Sequence, residues 1–102
     1  MENRTTFIYL IRATRPGFAE EMLPEEIEAM QAHAAYLDRL TGERRFFLIG
    51  PCLDRAFGIS VFEAESLEEA RQIAAHDPSV ERGVMTAEVH PFHISFFQQE
   101  KV

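Results

Sequence analysis

The best candidates in this sequence for moving a proton are the imidazole of His33 and the carboxylate of Asp77. A carboxylate bonded to one ring nitrogen fixes the histidine tautomer and stabilises the imidazolium, leaving the other nitrogen free. A group so placed typically contributes about 10²–10⁴ in rate. Asp77 opens the stretch His76-Asp77-Pro78-Ser79-Val80-Glu81-Arg82-Gly83, where one helix stops, the chain turns and a last strand begins. The same stretch supports a plainer reading. Aspartate caps the free N–H groups of a helical turn, proline suits the position after it, and Gly83 ends the turn in the left-handed conformation. Asp77 is then a cap and His33 a boundary histidine hydrogen-bonded to it.

Other residues with reactive side chains form weaker patterns. His90-x-x-His93, with His76 as a third imidazole, has ligands that zinc accepts. On a strand, however, residues three apart face opposite ways, so no metal site is expected. Cys52 follows Pro51 on a connection and has no identifiable base, which argues against a thiol nucleophile. Tyr36 lies one helical turn beyond His33 and is a candidate to line the same pocket. Arg12, near the end of the first strand, is a candidate to bind an anionic substrate group, and Ser79 closely follows Asp77. No phosphate-cradling glycine loop or dinucleotide fingerprint is present, and no cofactor is expected.

The 102 residues are enough for one domain with one core, and 46% hydrophobic with 11% aromatic content favours folding over disorder. Ten basic against seventeen acidic side chains give a net charge of −7. Such a surface repels phosphates, so nucleic acid and anionic membranes are not expected partners. The polar start Met1–Thr6 has no apolar run after it, which predicts neither a signal peptide nor a membrane span. A single cysteine rules out an internal disulfide and fits a reducing, cytoplasmic setting.

These residues need elements to position them. Thr6–Arg12 reads as a strand apolar on both faces, with Phe7, Tyr9 and Ile11 pointing one way. A helix begins at Pro24, with Leu23, Ile27, Met30, Ala34 and Leu37 on one face and Gly42 as its stop. At about 100° per residue, His33 falls roughly 60° from the centre of that stripe, and Tyr36 a little further out. Arg45–Ile49 and Arg55–Ala64 read as an antiparallel hairpin across a short link. Ser66-Leu67-Glu68-Glu69 is a capping box, opening a helix that runs to about His76 and buries Leu67, Ala70, Ile73 and Ala74. The last strand is expected over Val84–Phe97, with a bulge at His90-Pro91 where the alternation slips. The tail Gln98–Val102 is expected to fray.

Strand, helix, strand, strand, helix, strand is the ferredoxin-like β-α-β-β-α-β arrangement of the α+β class, here one domain over residues 1–102. Its helices cover one sheet face. The other face is apolar in this sequence, and a patch that large is rarely left bare. A homodimer packed sheet against sheet is the expected solution.

In order and spacing, these landmarks resemble the YciI-like (YCII-related) family. The resemblance runs from Phe7-Ile8-Tyr9-Leu10 through His33-Ala34-Ala35-Tyr36-Leu37-Asp38-Arg39-Leu40, Gly50-Pro51 and Phe57–Ser66. It closes with Asp77-Pro78-Ser79-Val80-Glu81-Arg82-Gly83-Val84 and Val89-His90-Pro91-Phe92. It implies a dimeric α+β barrel with a pocket on each protomer. It also implies a His–Asp pair as active site, carried here by His33 and Asp77. Two departures bear on the pocket: the link between Gly50 and Phe57 is short, and Ser79 stands where many relatives carry an aromatic.

The expected function is therefore a cofactor-independent enzyme acting on a small molecule by lyase, isomerase or hydrolase chemistry. His33 transfers the proton, Asp77 orients it, and Tyr36, Arg12 and Ser79 are candidates for substrate binding. The alternatives are a metabolite-binding protein with the same pocket, and an interaction protein recruiting partners through the apolar sheet face.

Overall fold

A computed structural model describes residues 5–98. The chain runs β1 (Thr5–Ala13), α1 (Pro24–Thr41), β2 (Phe46–Pro51), β3 (Gly58–Ala64), α2 (Leu67–Ala75), α3 (Pro78–Glu81) and β4 (Met85–Pro91). The strands form one antiparallel sheet in the order β2-β3-β1-β4. This is the ferredoxin-like α+β arrangement, with α3 as a single extra turn. Apart from Gln98, the tail expected to fray lies outside the described residues, as do residues 1–4.

Period-two alternation sorts β1 into its two faces. Phe7, Tyr9 and Ile11 are buried beneath the helices, whereas Ile8 and Leu10 on the other face are half-buried. Phe62 of β3 is the hub of the covered face. Its ring stacks on Phe46 at 5.2 Å, meets Tyr9 edge-on at 5.8 Å and lies 6.3 Å from Phe7. Aromatic pairs in these arrangements add about 0.5–1.5 kcal/mol beyond their burial.

Helix α1 starts at Pro24 and ends at Gly42 as expected, though Gly42 is right-handed at φ −83°. The face it buries differs from the expected stripe. Glu26, Ala29, Tyr36, Leu37 and Leu40 are buried, while Ile27 is exposed and Ala34 faces solvent. At 100° per residue the buried face is rotated by roughly 90°. The reason is a polar residue that hydrophobic patterning leaves out. Arg15 grips the Glu26 carboxylate through two hydrogen bonds of 2.7 and 2.9 Å, so a charge can sit inside. The Leu23 N–H also donates to Glu26 at 2.7 Å. The rotation brings His33 near the centre of the buried face instead of its boundary.

Two further boundaries move, and one cap differs from its expected form. β3 begins at Gly58 rather than Arg55, because Arg55 is left-handed at φ +68° and cannot extend a strand. At α2, Ser66 accepts the Glu69 N–H at 3.0 Å, but Glu69 reaches back to the N–H of Glu65, not Ser66, at 2.8 Å. β4 ends at Pro91 with no bulge. The slip in alternation marks the strand's end, because proline has no N–H with which to extend an edge ladder. One more bond follows, from Phe92 N–H to the Thr6 carbonyl at 2.9 Å. Residues 92–97 then pass beside Leu48 and Val61, covering part of the open sheet face.

Candidate active site

Asp77 ends one helix and begins another. Its backbone is extended (φ −60°, ψ 125°), Pro78 occupies the first position of α3, and Gly83 leaves the turn at φ +78°. This is the expected cap. The carboxylate also does more than cap. Oδ1 accepts from the Ser79 N–H at 2.9 Å and the Ser79 hydroxyl at 2.8 Å. Oδ2 accepts from the Tyr9 hydroxyl at 2.7 Å and lies 2.7 Å from Nδ1 of His33. The carboxylate is fully buried.

Burial by itself pushes the Asp77 carboxyl up. The hydrogen bond and charge of His33, then the hydrogen bonds of Tyr9 and Ser79, outweigh burial and hold it below the usual carboxylate range. An ionised carboxylate only accepts, so Nδ1 of His33 carries the proton, and Nε2 has no hydrogen-bond partner among the described residues. Burial first, then the neighbouring Asp77 charge, raises the Tyr9 phenol far above its ordinary range, so it stays an O–H donor.

His33 lines a cavity of about 280 Å³ between α1, the sheet and the β2–β3 loop. Its walls are mostly apolar, with Phe18, Met30, Leu37, Phe57 and Met85 among them. Gly58, in its wall, lets the Ile11 side chain pack closely, since a Cβ there would lie 3.0 Å from Ile11 Cγ1. An apolar cavity of about 150 Å³ already takes benzene, so this one has room for a substituted ring.

The other candidates separate. Arg12 lines the cavity, its guanidinium 4.5 Å from the centre of the Phe57 ring and 2.8 Å from Glu88. Ser79 is buried against Asp77 and does not line the cavity. Tyr36 does not line it either. Its hydroxyl donates to the Ile73 carbonyl at 2.6 Å, which ties α1 to α2, because the rotation of α1 turns Tyr36 inward. Among the described residues no group of three metal-ligating side chains forms, and His90 is bonded to Glu88 at 2.8 Å. Cys52 is a half-buried free thiol.

Sequence reading missed Tyr9 as a partner of Asp77. The available signal was a hydroxyl on the buried parity of a strand, which must find an acceptor. Tyr9→Phe should cost about 1.5–3 kcal/mol, the worth of a hydrogen bond to a charged acceptor. Denaturant unfolding at neutral pH measures it, and an unchanged midpoint would show that the bond contributes nothing.

This arrangement defines a small α+β protein with a buried His–Asp contact beside an apolar cavity. The sequence matches the YCII-related domain over residues 7–93, and the chain belongs to that family. It is 45% identical over 56 residues to the uncharacterized protein YjpA of Bacillus subtilis (strain 168). The match covers 55% of this chain and 66% of that protein, just under two thirds of its length. The fold is similar to that of 5-chloro-2-hydroxyhydroquinone dehydrochlorinase (TftG) from Burkholderia phenoliruptrix AC1100, solved in complex with 2,5-dihydroxybenzoquinone. That similarity has a TM-score of 0.65 at 25% identity and covers 85% of this chain and 93% of TftG. No helix among the described residues is long and apolar enough to cross a membrane.

Proposed function

We propose that the protein is a small-molecule enzyme in which His33 is the general base and acid and Asp77 its orienting carboxylate. The observation that carries this reading is the 2.7 Å contact between His33 Nδ1 and a fully buried carboxylate, on a histidine that lines a cavity. Proton removal from carbon, followed by reprotonation or loss of a leaving group, suits one such pair. Lyase and isomerase chemistry therefore fit best. The similarity to a protein named as a dehydrochlorinase and solved with a small cyclic compound supports the same class. The test is exchange of acidic C–H protons in D₂O, followed by NMR for a panel of small cyclic carbonyl compounds. The wild-type protein should accelerate exchange for at least one of them, and His33→Ala should not. Exchange equally fast with His33→Ala would reject the reading.

The same reading includes a homodimer through the open sheet face. Ile8, Leu10 and Ile59 are only half-buried there, and Leu48 is 52% exposed. Arg12 and Ile59, on that face, also line the cavity, so a second copy would border the opening. Size-exclusion chromatography with light scattering should give a mass of two chains. A monomer at micromolar concentration would overturn it.

A further inference from the structure

The chain carries seventeen acidic and ten basic side chains, yet no Asp or Glu lines the His33 cavity, whereas Arg12 and Arg55 both do. The two arginines are not equivalent. Arg12 is paired with Glu88 at 2.8 Å, and Glu88 is bonded in turn to His90, so its charge is largely balanced. Among the described residues Arg55 has no ion-pair partner. It is also held in an unfavourable conformation. Its φ of +68° costs a residue with a Cβ free energy, and the surrounding turn maintains it: Arg55 N–H donates to the Cys52 carbonyl at 3.0 Å, and Ala56 N–H to the Asp54 carboxylate at 3.0 Å. The cavity thus joins apolar walls and a proton-transfer group to an arginine with no ion-pair partner among the described residues, and a guanidinium is the group best matched to a planar pair of oxygens.

We propose that the site takes a small organic acid: a ring-sized apolar body carrying one carboxylate, which Arg55 recognises while the body lies beside His33. This rests on the assignment of the cavity as the active site. Cavity volume limits the body to about one ring, and the single unbalanced cation limits the charge to one.

The test is calorimetric titration at low salt with benzoate, its neutral isostere benzamide, and the dianion phthalate. Benzoate should bind at least about tenfold more tightly than benzamide, as a charge-assisted bond requires. Phthalate should bind no better than benzoate. Arg55→Gln should remove most of the preference, whereas Arg71→Gln, at an exposed position of α2, should leave it intact. Equal binding of benzoate and benzamide, binding of neither at millimolar concentration, or a preference that survives Arg55→Gln would overturn the proposal. A marked preference for phthalate would overturn the limit of one charge. The two readings fail separately. His33→Ala should keep the preference for benzoate while losing proton exchange, and absent exchange with a preserved preference would leave a binding protein for acids.

Discussion

His33→Ala should lower proton exchange by about 10²–10⁴, the range expected when a positioned acid–base group is removed. The fold should survive. The variant loses one hydrogen bond to a charged acceptor, about 1.5–3 kcal/mol, from a domain whose total stability is roughly 5–15 kcal/mol. Asp77 keeps Tyr9 and both Ser79 donors, so the carboxylate remains satisfied. A native circular dichroism spectrum with lost exchange is the combined result expected. An unfolded variant would be uninformative about catalysis, and Asp77→Asn then separates the roles. Asparagine is as good a helix cap as aspartate. The Ser79 N–H needs an acceptor at Oδ1, so the amide NH2 would take the Oδ2 position, opposite both Nδ1 and Tyr9. Facing Nδ1, it favours the tautomer with the proton on Nε2, which removes the base from the cavity. If Asp77 is only a cap, Asp77→Asn should leave exchange untouched. If it orients a base, exchange should fall nearly as far as with His33→Ala.

Asp77→Ala should produce the largest stability loss, about 3–5 kcal/mol. Tyr9, His33 and Ser79 converge on this carboxylate from different parts of the chain, and all would lose their acceptor. For a domain of this length the melting temperature should fall by about 15 °C or more. The part of the effect that comes from ionisation should be lost in acid. Because the folded carboxyl lies below its unfolded value of about 3.9, its ionisation stabilises the protein fully above that pH. That contribution is lost as pH falls through the lower folded value. The gap between wild type and Asp77→Ala should therefore narrow at the acid end of a pH series of melts. A constant gap across pH would mean that shape, not charge, sets the penalty.

The sequence by itself determined the elements and their order, because short-range rules govern them. Alternation marks β1, Pro24 starts α1, Ser66 caps α2, and Asp77-Pro78 with Gly83 turns the chain into β4. It also nominated His33 and Asp77 and gave a strong family resemblance. What it could not supply was set by contacts distant in the chain. The buried face of α1 turned because Arg15 neutralises Glu26, and a hydrophobicity pattern scores that carboxylate as a surface group. Tyr36 consequently left the expected pocket for the Ile73 carbonyl. Tyr9 became a partner of Asp77 only because β1 lies under the α2–α3 junction. Arg55, outside any regular element, reached the cavity through the path of a short loop. Local periodicity contains no term for any of these, since each depends on which charges and hydroxyls meet once the layers pack.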